Sequence, residues 1–356
     1  VIMHALFERD WRRAYRFSRS AIRRFIMARE IKLGSGRFTY DVAVDWEKLP
    51  SGYSWTDAAA VAVDSKDRVY VFNRGDHPMI VFDSDGNYLD SWGEGVFTRP
   101  HGLTLGPDDT LYCTDDTGHS VRQCTLDGRV LMTIGEPGKP SKAYSGQPFN
   151  RCTDVAVDHK TGELYISDGY SNARVHKYSP DGRLLFSWGE PGTDPGQFNI
   201  AHNIATDKDG YVYVADRENH RVQIFDSNGE YQAQWNNLHR PCAIYISEEQ
   251  LVYVGDLGWG MPVNRDHPNI GPWITVLNTK GERLARIGHM GYGLNVGQFM
   301  APHGICLDSR DNIYLGEVAW TNVQSQSSHK IGGDDSNCGT EQSEGVRSFQ
   351  KLVKVD

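Results

Sequence analysis

The sequence predicts an all-β protein, a six-bladed β-propeller with an N-terminal helical extension, and three observations support this prediction. One pattern, an apolar strand, a polar turn and a second apolar strand, recurs six times at intervals of about 40–60 residues. Asp-Gly or Asn-Gly turns introduce a further strand after most repeats. The 356 residues include 37 Gly and 17 Tyr, which suits a sheet protein rich in turns.

Each repeat supplies the first two strands of one predicted blade. The repeats are AVAVDSKDRVYVFNR from Ala60, HGLTLGPDDTLYCTDD from His101, TDVAVDHKTGELYISDG from Thr153, HNIATDKDGYVYVADR from His202, CAIYISEEQLVYVGDL from Cys242 and HGICLDSRDNIYLGEV from His303. The last repeat is followed only by a third strand, FQKLVKVD. Its fourth strand is expected from residues 36–46, GRFTYDVAVDW, which would close the ring and bury both sheet edges. The propeller domain is therefore predicted over residues 36–356.

Residues 1–35 are predicted to form a basic amphipathic helix. The first 31 residues hold eight Arg against three acidic residues, and their apolar side chains fall on one helical stripe. Packing against the propeller, contact with a membrane surface and contact between subunits all remain open for it. It lacks the continuous apolar core of a signal peptide.

Bulk properties exclude several function classes. A net charge of −9 argues against nucleic acid as the main partner, since phosphate binding requires a basic surface. No apolar run reaches the ~18 residues of a membrane span. The six cysteines contain no C-x-x-C, so neither a zinc knuckle nor a thioredoxin-like motif is indicated. A bridge between Cys113 and Cys124 across a hairpin stays open.

Histidine recurs at one position of alternate repeats. The six residues at this position are Ala60, His101, Thr153, His202, Cys242 and His303. Alternate blades of a six-bladed ring lie 120° apart, and the first strand of each blade lines the central channel. Three convergent neutral imidazoles with an open fourth position are the ligand set of a catalytic zinc, although other late transition metals also accept imidazole.

Other residues are expected on the same face, because the loop after the second strand opens beside the start of the first. They are Arg74, Tyr170 and Arg217. Arginine binds carboxylates in a fork, and a tyrosine near a divalent cation can serve as a base. Two long loops, 256–273 and 317–348, open on this face and are predicted to form a lid or a substrate wall.

The repeats resemble the NHL family of propellers. The stretch GQFNIAHNIATDKDGYVYVADRENHRVQIFDSNGEYQAQW matches that repeat nearly throughout. The family includes protein-binding and RNA-binding scaffolds as well as enzymes, so the fold alone does not give the function.

The site motifs resemble one enzyme branch, the peptidyl-α-hydroxyglycine α-amidating lyases, from about residue 61 to 318. The motifs are FNRGDH (72–77), RPHGL (99–103), TDVAV with SDGYSNAR (167–174), HNIA, VADREN (214–219) and APHGI (301–305). That family cleaves a carbinolamide, N–CH(OH)–COO⁻, to an amide and glyoxylate. The resemblance implies that His101, His202 and His303 hold zinc, that Tyr170 is the base and that Arg74 lies against the substrate's oxygens.

Departures from that family limit what the resemblance implies. Gly304 stands where the family has an acidic residue that helps hold a structural calcium, so calcium is not supported. Ala301 replaces a methionine. Ser171 replaces a disulfide cysteine of the secreted animal enzymes, which favours a cytoplasmic protein. No copper monooxygenase domain is attached, so a small substrate other than a peptide is expected.

Two other functions stay open beside the lyase. A zinc-dependent hydrolase of esters, lactones or phosphotriesters would need a proton acceptor, for which Asp168, Asp216 and Glu317 are weak candidates. A non-catalytic NHL scaffold would use its face for a protein or RNA partner and would not need three converging histidines.

Overall fold

The computed structural model describes residues 31–264, 267, 269–289, 291–327 and 346–355. The helix predicted within residues 1–30 lies outside the described residues. Among these residues, twenty-five strands form six antiparallel sheets. Within the described chain, no helix is both long enough and apolar enough to cross a membrane.

Five blades are formed by four consecutive strands each. Blade one comprises β3 (Ala58–Val63), β4 (Val69–Asn73), β5 (Met79–Phe82) and β6 (Tyr88–Trp92). Blade two comprises β7 (Pro100–Leu105), β8 (Thr110–Asp115), β9 (Ser120–Thr125) and β10 (Val130–Gly135). Blade three comprises β11 (Asp154–Val157), β12 (Leu164–Asp168), β13 (Arg174–Tyr178) and β14 (Leu184–Trp188). Blade four comprises β15 (Ala201–Thr206), β16 (Val212–Asp216), β17 (Arg221–Phe225) and β18 (Tyr231–Trp235). Blade five comprises β19 (Pro241–Ile246), β20 (Val252–Asp256), β21 (Trp273–Leu277) and β22 (Arg283–Ile287).

Blade six combines both ends of the described chain. Its strands are β23 (Pro302–Leu307), β24 (Ile313–Glu317), β25 (Phe349–Lys354), β2 (Phe38–Ala43) and β1 (Lys32–Ser35) in sheet order. Helix α1 (Ala319–Ser327) follows β24, and short 3-10 turns lie at Arg217–Asn219 and Pro262–Asn264.

The first strands of successive blades contact one another, and β23 contacts β3, so the six sheets close into a ring. Every residue of β3 is buried, whereas β6 is mostly accessible. The apolar inner strands are thus covered on both faces and line the axis, while the outer strands are largely accessible to solvent.

The N-terminal hairpin fastens this ring. Strand β2 pairs antiparallel with β25, and β1 pairs with β2 and contacts β22 of blade five. The predicted helix through residue 35 is therefore wrong for Lys32–Ser35. Gly34 has a φ of 83°, and a Cβ there would lie 2.0 Å from the Phe38 carbonyl oxygen, so glycine permits the tight hairpin. Leu33 packs into the core between blades five and six.

A carboxylate holds the turn between the first two strands of several blades. In blade four, Asp207 accepts backbone N–H groups from Asp209 (2.9 Å) and Tyr211 (3.0 Å). Its second oxygen accepts the buried Tyr213 hydroxyl at 2.9 Å. The same Asp–Tyr pairing occurs at Asp64 with Tyr70 and at Asp308 with Tyr314. These Asx turns explain the recurring aspartate and tyrosine as structural residues.

Candidate metal centre and catalytic pocket

The strand register defines which residues form the channel ring. Ala58 of blade one lies opposite the end of its second strand, as Pro100 does in blade two. His101 follows Pro100, so its counterpart in blade one is Ala59. The assignment of Ala60 to this position was wrong by one residue. The same register shift occurs in blades one, two, four, five and six, so equivalent residues lie at equal distance from the end of the second strand, and Ala59 is as far before Asn73 as His101 is before Asp115.

The three histidines of the ring meet at the channel axis. His101, His202 and His303 are all buried, and their ring centroids lie 4.7–4.9 Å apart. One ligand atom from each lies within 4.8 Å of the others. In the described part of the chain, no other three His, Cys, Asp or Glu side chains form such a group.

Hydrogen bonds to the next blade orient each imidazole. Every Nδ1 lies near the main-chain oxygen of the following ring position, so Nδ1 carries the proton and donates it. The bonds are His101 Nδ1 to Thr153 O (2.7 Å), His202 Nδ1 to Cys242 O (2.8 Å) and His303 Nδ1 to Ala59 O (2.7 Å). The Nε2 lone pairs are left free to act as ligands, as in metal sites with an oriented second hydrogen bond.

The electrostatic environment keeps the triad neutral. Burial is the first cause and lowers the pKa of each imidazole well below its usual value. Neighbouring groups act in the same direction: the second imidazole, His303, on His101, the charge of Arg217 on His202 and the charge of Arg74 on His303. Neutral imidazole is the form that binds a metal.

Tyr170 reaches the triad from blade three. Its hydroxyl oxygen lies 3.1 Å from His101 Nε2 and 3.2 Å from His202 Nε2. The phenol has one proton, so it can donate to only one of these lone pairs at a time. Lone pairs that converge in this way fit a cation, whose charge would satisfy all of them together.

The chain before Tyr170 explains how the phenol reaches the axis. Gly169 lies against blade four, where an added Cβ would be 1.9 Å from the Ala201 carbonyl oxygen. Any larger residue would push the loop away from the channel. Arg217 Nη1 donates to the Tyr170 hydroxyl at 3.4 Å, and its guanidinium lies 5.5 Å from the centroid of the phenol ring.

Arg74 brings an unsatisfied donor into the same pocket. Its side chain is only 7% exposed, Nε donates to Pro100 O at 2.9 Å, and Nη1 lies 3.4 Å from Asp57 Oδ2. Nη2 is buried and has no hydrogen-bond partner among the described residues. A buried guanidinium N–H without an acceptor costs free energy, which a substrate oxygen would recover.

Arg217 is held by an acidic neighbour. Glu218 accepts from Arg217 Nε at 2.8 Å and from Arg240 Nη2 at 2.7 Å. Burial opposes ionisation of Glu218, but the Arg240 hydrogen bond and the Arg217 charge outweigh it and lower its pKa to about 2. The ion-paired group stays charged at neutral pH.

Sequence reasoning missed a second acidic–basic cluster beside Tyr170. Asp116 is fully buried and binds both Arg99 and Arg151. The Arg151 guanidinium lies 4.4 Å from the centroid of the Tyr170 ring. Arg99 lies two residues before His101, the first histidine of the triad, which was an available signal. Nothing in the local pattern marked Asp116 or Arg151.

The proposed carboxylate bases are structural instead. Both Asp168 oxygens accept the Asn150 N–H, one of them also accepts from Asn172, and Asp216 accepts from Asn199 N and Arg221. The equivalent acidic or amide residues of the other blades cap the same inter-blade loop; they are Asn73, Asp115, Asp256 and Glu317. The oxygens of Asp168, Asp216 and Glu317 accept hydrogen bonds from backbone amides. The expectation that one of these residues could act as the base of a hydrolase is therefore corrected.

Three further expectations meet the structure here. Cys113 and Cys124 are free and buried. A side chain at Gly304 has no room, since its Cβ would lie 2.6 Å from Ala60 Cα. The loop after β20 reaches the site, because Arg240 Nη1 donates to Trp259 O at 2.9 Å. Residues 328–345 of the second long loop lie outside the described residues.

Comparisons with known proteins agree with this architecture. The NHL repeat model matches residues 149–178 and 198–225, in blades three and four. Human NHL repeat-containing protein 3 is 36% identical over 214 residues, covering 56% of this chain and 61% of that protein. Peptidyl-alpha-hydroxyglycine alpha-amidating lyase 1 of Drosophila melanogaster is 31% identical over 247 residues, covering 64% of this chain and 44% of that protein. The chain thus matches less than two thirds of either relative.

A solved structure supports the fold alone. A Staphylococcus aureus virginiamycin B lyase variant in complex with quinupristin superposes with a TM-score of 0.52 and 13% identity. The match covers 89% of this chain and 88% of that one. The chain thus forms a closed ring of six β-propeller blades, matches the NHL repeat in two of them, and is similar to proteins named peptidyl-alpha-hydroxyglycine alpha-amidating lyase.

Proposed function

We propose that the chain is a zinc-dependent lyase that cleaves the C–N bond of a carbinolamide, N–CH(OH)–COO⁻, in a small substrate. One observation carries the proposal: a phenol oxygen lies 3.1 and 3.2 Å from the Nε2 atoms of two triad histidines. This places the Tyr170 hydroxyl within reach of any hydroxyl bound at the triad. The relatives named amidating lyases agree with this reaction class.

The residues present fit a zinc ion. His101, His202 and His303 would hold it through Nε2, since their Nδ1 atoms are committed to main-chain oxygens. When bound, zinc supplies a Lewis acid that lowers the pKa of a hydroxyl group beside it.

The protein's own side chains account for the proton and the charge. Tyr170 accepts the proton of the substrate hydroxyl, the carbon–oxygen double bond forms, and the C–N bond breaks. The proton returns to the leaving amide nitrogen, so an amide and glyoxylate are released with no oxidation and no added water. Arg217 orients the phenol, and Arg74 Nη2 donates to the substrate carboxylate.

The three carboxylates considered as the base of a hydrolase already accept hydrogen bonds within the protein. Asp168, Asp216 and Glu317 all spend their oxygens on backbone amides and side chains of their own blades. A scaffold function is favoured only by the match to NHL repeat-containing protein 3. A surface contact would not need a buried, neutral triad beside Arg74, whose Nη2 is buried without a hydrogen-bond partner among the described residues. The proposed partner is therefore a small anionic molecule.

Product analysis in ¹⁸O-water tests the reaction. Zinc-loaded protein with N-acetyl-α-hydroxyglycine should give acetamide and glyoxylate in equal amounts, faster than spontaneous breakdown, and the acetamide oxygen should stay unlabelled. Glyoxylate exchanges oxygen with water, so the amide is the informative product. Labelled acetate in place of acetamide, or turnover of an ester, lactone or phosphotriester alone, would establish a hydrolase instead.

A further inference from the structure

We propose that the substrate carries a second anionic group, a carboxylate or a phosphate, on the acyl side of the scissile bond, and that Arg99 and Arg151 bind it. The inference rests on the proposed function for the identity of the scissile bond. The observations behind it are the charge, depth and spare donors of the pocket.

The pocket holds more positive than negative charge. Its guanidinium groups belong to Arg74, Arg99, Arg151, Arg217 and Arg240. Their carboxylate partners belong to Asp57, Asp116 and Glu218. Five cations face three anions in a chain whose net charge is −9, so the surplus is local to this face. An anionic ligand would neutralise it.

The arginines lie at two depths. The side chains of Arg74 and Arg217 are 7% and 12% exposed, and both act beside the triad. Those of Arg99 and Arg151 are 28% and 36% exposed. A substrate whose reacting end meets the inner pair would therefore place the rest of its length beside the outer pair.

The outer pair has donors to spare. The Asp116 carboxylate accepts hydrogen bonds from Nη1 of Arg99 and from Nε and Nη2 of Arg151. Each guanidinium carries five N–H groups, and one carboxylate cannot accept them all. Within the described residues, no second acceptor contacts either guanidinium. The free edges are partly exposed and suit a planar or tetrahedral anion.

A purely structural role does not explain two arginines on one carboxylate. One guanidinium would compensate the buried charge of Asp116. The second adds repulsion: after burial, the charge of Arg99 is the next cause that lowers the pKa of Arg74. Such clustering of like charge is costly in the free protein and is relieved when an anion binds.

Binding of unreactive analogues to zinc-loaded protein tests the inference without turnover. The ligands are N-butyrylglycine, which has a neutral acyl group, N-succinylglycine, which ends in a carboxylate, and N-(3-phosphonopropionyl)glycine. Titration calorimetry should show at least one acidic ligand binding about tenfold tighter than the butyryl compound, as expected for a charge-assisted hydrogen bond. The two acidic arms decide between carboxylate and phosphate.

Matched variants locate the preference. Arg99→Gln should reduce it to about twofold, and Arg99→Lys should restore only part of it, because a point charge cannot replace the fork. Arg129→Gln makes the same charge change in an exposed residue of the β9–β10 turn, on the opposite face by strand order, and should keep the full preference.

The outcomes separate this inference from the proposed reaction. Equal binding of all three ligands, no binding of any, or a preference that survives Arg99→Gln would overturn the second anion site. A preference that Arg99→Gln removes, in a protein that cleaves neither N-acetyl-α-hydroxyglycine nor N-succinyl-α-hydroxyglycine, would support the anion site and remove the lyase. Cleavage of N-acetyl-α-hydroxyglycine by a protein that binds all three ligands equally would support the lyase and overturn the second anion site.

Discussion

Tyr170 is the residue on which the choice of reaction depends. It combines a hydroxyl oxygen within hydrogen-bonding distance of two triad nitrogens with two arginines beside its ring. The ring makes cation–π contacts with the Arg151 and Arg217 guanidiniums. The same residue thus organises the inner and outer arginines.

Removal of the Tyr170 oxygen should abolish most of the activity. Tyr170→Phe keeps the ring and its contacts but deletes the base, so kcat should fall by about 10²–10⁴ on N-acetyl-α-hydroxyglycine. The zinc content should not change, because the phenol is not a proposed ligand. Tyr144→Phe removes a hydroxyl from a nearby, 63% exposed tyrosine and should leave kcat unaltered. Equal rates for Tyr170→Phe and wild type would exclude Tyr170 as the base.

At the scale of single residues, the sequence predicted which residue types form the site better than it predicted the contacts between them. A repeat with histidine in alternate copies was enough to predict a convergent triad, since blades are related by rotation. The carbonyl partners of Nδ1 were not predicted, because these hydrogen bonds join neighbouring blades and depend on how the blades pack. Arg151 and Asp116 were missed because they meet only after two blades pack together.

The element that decides the integrity of the ring is β2. It supplies the fourth strand of blade six and carries Tyr40, a fully buried side chain in the core shared by blades five and six. The alternating pattern of residues 36–46 made this strand predictable. Strand β1 was not, because KLGS contains one apolar residue and adjoins a helix-like pattern.

Truncation of Tyr40 should loosen the closure. Tyr40→Ala removes a buried aromatic ring and should lower the free energy of unfolding by about 3–5 kcal/mol in a denaturant titration. Asp41→Ala, its neighbour on the same strand, breaks only an exposed ion pair with Lys32 and should cost at most about 1 kcal/mol. Similar losses for the two variants would contradict the pairing of β2 with β25 as the closing contact.

At the scale of the whole molecule, the ring of six blades brings the histidines of three alternate repeats together in one symmetric site. Alternate ring positions carry a histidine, and each intervening position offers the main-chain oxygen that orients it. The repeat count and the rotational relation were readable from the sequence. The sequence predicted only part of the placement of the long loops 256–273 and 317–348. Strand order shows on which face of the ring a loop opens, but it does not give the conformation of the loop.

Metal content is the most direct test of this arrangement. Protein expressed with ample zinc should contain about one zinc ion per chain by elemental analysis. His202→Ala should lose most of it, since one of three ligands is removed, whereas His159→Ala, which changes an exposed histidine in a turn, should keep it. Circular dichroism should show all three proteins folded. Less than about 0.2 zinc per chain in the wild type, or equal zinc in His202→Ala and wild type, would contradict a metal centre built from the triad.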